Sequence, residues 1–106
     1  MRYVEEVLKD EAERLGKAIH SYLREIQHLP RGSVQNKKIR GHLYPYLAVR
    51  EGPKVRYRYL GHLPEAKLHD LSRQIELRRR YRKLLAEAKQ NQKRLQRMLH
   101  ARRRPS

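Results

Sequence analysis

The sequence predicts an α+β fold: an N-terminal helix, a small three-stranded antiparallel sheet, and a long C-terminal helix with a coiled-coil-like seam. Three observations predict it. Apolar residues recur at three- and four-residue steps from Val4 to Leu29. A central stretch containing two glycine-bearing turn signals alternates aromatic, aliphatic and cationic side chains. No glycine or proline then interrupts the chain between Pro64 and Pro105. At 106 residues these elements are expected to form a single domain, 1–106, with a modest core. Phe, Trp and Cys are absent, so Leu, Ile, Val, Ala and Tyr must build that core. No disulfide framework or thiolate chemistry is available, which fits a reducing cytoplasm.

The first helix is expected over 2–29. Val4, Leu8, Leu15, Ile19, Tyr22, Ile26 and Leu29 form one stripe, with Val7 and Ala18 beside it. Glu5 and Glu6 suit the positive end of the helix dipole, and Pro30 followed by Gly32 ends the element. A single apolar stripe on an otherwise charged helix is a packing face. The opening "MRYVEEVLKDEAERL" carries acids throughout and no apolar run, so neither a signal peptide nor a membrane span is expected.

Strands are expected at about 33–39, 42–50 and 54–60, within a sheet region 33–61. Arg40-Gly41 and Gly52-Pro53 supply the two turns. Pairing Ile39 with His42 and Arg50 with Val55 separates two faces. One carries Gln35, Lys37, Tyr44, Tyr46, Ala48, Arg50, Val55, Tyr57 and Tyr59. The other carries Val34, Lys38, Leu43, Pro45, Leu47, Val49, Arg56, Arg58 and Leu60. So small a sheet needs to bury only one face. The preferred reading puts the aliphatic face inward and leaves the tyrosines outward, where rings beside cations suit bases and phosphates. The alternative has the tyrosines buttressing the helices. Pro45 is awkward in either case, because it removes a ladder donor from a middle strand.

The last helix is expected over 64–102, with Pro64 at its first position and 103–106 as a tail. Leu68, Leu71 and Ile75 lie on one side of it, while Leu77, Tyr81, Leu84, Leu85, Ala88, Leu95 and Leu99 lie nearly opposite. The proximal side is expected to pack within the chain. The distal side needs other company: the first helix, a second copy of the chain, or a different protein. Leu77, Tyr81, Leu84, Ala88, Asn91, Leu95 and Met98 step four and three in alternation, as a coiled-coil seam does, and Asn91 there would fix register.

Net charge is +16, and it is concentrated. Residues 31–63 carry 8 basic and 1 acidic side chains, and residues 78–106 carry 12 and 1; the rest is nearly balanced. Two basic blocks imply two contact surfaces for a polyanion. Arg79, Arg82, Lys83, Lys89, Lys93, Arg97 and Arg104 line one side of the distal helix, with Glu87 the only acid after Glu76. Phosphate contact is the preferred reading. A solvated face and an anionic membrane surface are the alternatives, the latter disfavoured by a seam without bulky interfacial aromatics.

Leu29, Pro30, Gly32 and Ser33 form an LP-x-GS junction, and Tyr44, Tyr46, Arg50, Gly52, Lys54, Val55, Tyr59 and Gly61 form a Y-x-Y…R-x-G-x-K-V…Y-x-G hairpin. With these parts in this order, the chain resembles a family of short uncharacterised prokaryotic proteins with a helix, this junction, this hairpin and a long basic helix. It departs from that pattern at Pro45 and Pro53. The family implies no activity. The hairpin part is also similar to the three-stranded DNA-binding modules of tyrosine recombinases and some transposases. That likeness implies a sheet face entering the DNA major groove and a role in a mobile element or nucleoprotein complex.

No catalytic constellation is visible. His20, His28, His42, His62, His69 and His100 have no metal-clamping spacing, no serine sits in a nucleophile elbow, and no loop cradles phosphate. The expectation is a cytoplasmic, non-enzymatic nucleic-acid-binding protein without cofactor or metal. Lys37, Tyr44, Tyr46, Arg50, Tyr57 and Tyr59 would contact DNA or RNA on the sheet, and Arg79, Arg82, Lys83, Lys89, Lys93 and Arg97 would contact it on the helix. The alternative is an accessory subunit docking through Leu77, Tyr81, Leu84, Ala88, Leu95 and Met98.

Overall fold

The computed structural model describes residues 2–103 and orders them as α1 (Arg2–His28), β1 (Ser33–Ile39), β2 (His42–Glu51), β3 (Lys54–Tyr59) and α2 (Glu65–Arg103). The fold is α+β, as the periodicities predict. Arg104 and the rest of the expected tail lie outside the described residues, apart from Arg103, which closes α2. The chain falls into two compact units. One comprises α1 and α2 from Arg80 onward; the other is Leu29–Arg79, holding the sheet and the first turns of α2.

In the helical unit, Leu8 and Leu15 of α1 and Ala88 and Leu99 of α2 are the buried side chains. Tyr22, late in α1, meets Tyr81, early in this part of α2, with ring centroids 5.9 Å apart and planes tilted by 43°. The two stripes read from the sequence therefore find cover in the same unit. Each buried leucine contributes roughly 1.5–3 kcal/mol. Along α2 the covered positions are Tyr81, Leu84, Leu85, Ala88, Gln92, Leu95 and Leu99, whereas Asn91 and Met98 are exposed. A straight helix with 3.6 residues per turn drifts off a strict seven-residue repeat, which moves the covered stripe from Asn91 to Gln92 and from Met98 to Leu99.

In the sheet unit the strand order is β1-β2-β3, so β2 is central. The pairings Ile39↔His42 and Arg50↔Val55 are present as the turn chemistry requires. Arg40 (φ 51°) and Gly41 (φ 84°) both take positive φ, as a type I′ hairpin turn needs, and Gly52 (φ 61°) precedes Pro53 as in a type II′ turn. β1 pairs with β2 from His42 to Ala48, and β3 pairs with it from Tyr46 to Glu51. The sheet is therefore three strands wide only at Tyr46, Leu47 and Ala48.

That offset resolves Pro45. In an antiparallel ladder a residue's N–H and C=O point to the same neighbour, and successive residues alternate sides. Leu60 N–H donates to the Pro45 carbonyl at 2.9 Å, so Pro45's backbone faces β3, just where β3 ends, and the ladder to β1 loses nothing. The Leu60 carbonyl, which a Pro45 N–H would have served, accepts from Leu63 N–H at 3.0 Å instead. The chain turns there into α2. The Pro64 carbonyl accepts from Leu68 N–H at 3.0 Å, which makes Pro64 the capping residue, and α2 begins at Glu65, one residue later than expected.

Leu60 and Ile75, 2% and 3% exposed, are the most buried residues of this unit. Val34, Leu47 and Val49 are half-buried, and Leu68 and Leu71 of α2 likewise. A cavity of about 140 Å³ lined by Ser33, Val34, Ser72, Ile75, Glu76 and Arg79 marks where β1 begins beside α2. The aliphatic face is not uniformly dry, however. Leu43, expected inward, is 64% exposed, because it sits at the hairpin end where β2 has only β1 for company. Ala48 on the tyrosine face is buried, since it lies mid-sheet between the side chains of Ser33 and Tyr57.

Candidate nucleic-acid interface

Two cross-strand rows build the tyrosine face: Gln35–Tyr46–Tyr59 and Ser33–Ala48–Tyr57, with Lys37–Tyr44 beyond the end of β3. The side-chain period of two puts all of these on one side of the sheet. The rings form a connected chain. Tyr44 lies 6.4 Å from Tyr59, and Tyr59 lies 5.4 Å from Tyr46, with planes tilted by 48° and 56°. These are the tilted geometries that ring quadrupoles prefer. Tyr57 and Tyr59 are exposed, and Tyr44 and Tyr46 are half-buried, largely among their neighbours on the sheet.

Lys37 ties this face together. Its Nζ lies 4.9 Å from the Tyr46 centroid and 3.7 Å from the Tyr57 centroid. An ammonium this close to a ring's centre stands over one of its faces, attracted by the π cloud. Arg50, at the other end of the face, is exposed; its backbone carbonyl accepts from the Arg31 guanidinium at 3.2 Å. On the opposite face Arg56 is engaged by Glu51 at 2.7 Å.

Two members of this surface lie outside the sequence-derived set. His42 stacks edge-on against Tyr44 at 6.5 Å, which continuing the period of two from Tyr44 would have revealed. Gly61 is the second: a Cβ there would overlap the Tyr59 hydroxyl and ring, so the absent side chain is what admits this tyrosine. Gly32 has φ 115°, and a Cβ there would lie 2.6 Å from the Ala48 carbonyl, so glycine is required where the junction meets β2.

The helix positions divide between the two units. Arg79, in the sheet unit, is exposed and paired with Glu76 at 3.0 Å. In the helical unit Arg82, Lys83, Lys89, Lys93 and Arg97 are all exposed along α2. Lys93 and Arg97 border a shallow groove of about 510 Å³ with Gln96, His100 and Ala101. Of the seam residues, Ala88 is buried, Tyr81, Leu84 and Leu95 are half-buried, and Leu77 and Met98 are 41% and 46% exposed.

Among the described residues no group of three His, Cys, Asp or Glu side chains is gathered to hold a metal ion. No described helix is long and apolar enough to cross a membrane. Comparison with protein-family models, curated proteins and solved structures gives no match to this chain.

Proposed function

We propose that the chain binds nucleic acid without catalysing a reaction, using the Tyr/Lys/Arg face of the sheet and, separately, the basic row of α2. The observation that carries the reading is the connected ring chain Tyr44–Tyr59–Tyr46 with Lys37 over Tyr46 and Tyr57. Exposed aromatic rings beside cations offer stacking to bases and attraction to phosphates on one surface. The row Arg82, Lys83, Lys89, Lys93 and Arg97 presents five exposed cations without a described acid partner, suited to contacts along a phosphate backbone.

Fluorescence anisotropy with labelled nucleic acid across a salt series tests this. The log–log slope should be steep, about −0.9 per duplex phosphate neutralised or −0.7 per single-strand phosphate. Changing Arg82 and Lys83 to glutamate should weaken binding and flatten the slope. Affinity indifferent to salt rejects the reading.

A second reading, an accessory subunit, rests on the exposure of Leu77 and Met98 at the two ends of the seam. It expects a stable complex with a second chain that Leu77→Asp and Met98→Asp together abolish, measured by light scattering after size exclusion.

A further inference from the structure

The tyrosine face is poor in charge for a surface in so basic a region. It bears Lys37 and Arg50 against four tyrosines, while Lys38, Arg56 and Arg58 point from the opposite face. A surface that tracked the phosphates of a duplex would have this distribution reversed. One of its two cations, Lys37, is already engaged with rings. What remains outward is aromatic: Tyr57 is 49% exposed although Lys37 stands over one face of its ring. Tyr57 thus has a positive charge over one face of its ring and remains about half open to solvent.

Tyr57 and Tyr59 occupy alternate positions of β3, so their attachment points are about 6.8 Å apart along an edge strand exposed throughout its length. This is about twice the 3.4 Å rise per nucleotide of a duplex strand. Bases seated on both rings must be unstacked from each other. A duplex keeps its base faces covered, and exposing them costs unstacking and unpairing; a single strand presents them freely.

From these observations, and resting on the nucleic-acid reading above, we infer that this face takes single-stranded nucleic acid, with Tyr57 and Tyr59 as adjacent base-stacking positions. Gly61 serves the same arrangement by leaving room for the Tyr59 ring.

The test uses the full chain with labelled oligothymidylate, oligouridylate and a mixed-sequence duplex of equal length. Either single strand, DNA or RNA, should bind more tightly than the duplex. Tyr57→Leu and Tyr59→Leu should each weaken single-strand binding roughly 5- to 150-fold and leave duplex affinity nearly unchanged. Tyr57→Phe, which keeps the ring and removes the hydroxyl, should bind the single strand like the parent, with circular dichroism matching the parent in every variant. Duplex affinity equal to or above that for both single strands overturns the inference while leaving nucleic-acid binding intact. So does a Tyr57→Phe loss as large as that of Tyr57→Leu, because the hydroxyl would then be the contact. Salt-independent or absent binding to all three probes removes the broader reading and the inference together.

Discussion

Lys37 on β1 reaches across the central strand to place its ammonium 3.7 Å from the centre of the Tyr57 ring on β3. The register sets Lys37 opposite Tyr44, so its long side chain has left its nominal partner and spans the sheet. An exposed cation–π contact of this kind stabilises by about 0.5–1 kcal/mol. Lys37→Met is expected to lower the unfolding free energy by that amount in urea, and to shift the Tyr57 ring resonances in a proton NMR spectrum. Lys37→Arg should restore most of both.

Three glycines are expected to respond differently to alanine. Gly16, in the middle of α1, has open space where a Cβ would stand, so Gly16→Ala should raise stability by about 0.5–1 kcal/mol through helix propensity alone. Gly61→Ala pushes the outer end of the Tyr59 side chain aside, a shift that an exposed side chain makes cheaply, and should cost about 0.5 kcal/mol. Gly32→Ala adds a positive φ to a backbone collision and should cost more, about 1–3 kcal/mol. Thermal melts of the three variants under one buffer would show this order, and a stabilising Gly61→Ala would contradict the placement of Tyr59.

The Tyr22–Tyr81 ring contact is the most specific interaction described between α1 and α2. A double-mutant cycle with leucine at each position should return a coupling energy of about 0.5–1.5 kcal/mol. A coupling indistinguishable from zero in urea titrations would mean that the rings merely share a surface.

Acidification should weaken α1 through Glu11. The hydrogen bond from Arg14 holds the Glu11 carboxyl below the ordinary carboxylate range; desolvation opposes it, and the charge attraction of Arg14 adds to it. A carboxyl whose folded pKa is depressed stabilises the fold above its unfolded pKa, and that contribution disappears as pH falls through the folded value. Helicity measured down the acid limb should fall less steeply in Glu11→Gln than in the parent. Because the pair is exposed, the difference should vanish at high salt.

The register was readable because turns dictate it. Two two-residue loops with glycine leave only one pairing for each hairpin, and parity then assigns every side chain to a face. Burial was less readable, for reasons visible at three residues. Ala48 is covered because it stands where the sheet is three strands wide, and the offset of β1 against β3 is a property of both hairpins together. Leu43 is open for the complementary reason. The shift from Asn91 to Gln92 along α2 reflects true helical pitch, which a heptad template ignores. The tyrosine cluster was legible as a face, but the route of Lys37 across it depends on side-chain torsions that parity does not fix.

Pro45 acts on a strand other than its own. With no N–H to offer, it leaves the Leu60 carbonyl to Leu63, and the chain departs from the sheet there and begins α2 shortly afterwards. Sliding β3 further along β2, so that Arg58 stood opposite Pro45, would orphan a carbonyl inside the ladder, and the proline thus guards the hairpin against slippage. A residue that looked like a flaw in one strand is the punctuation mark that ends another.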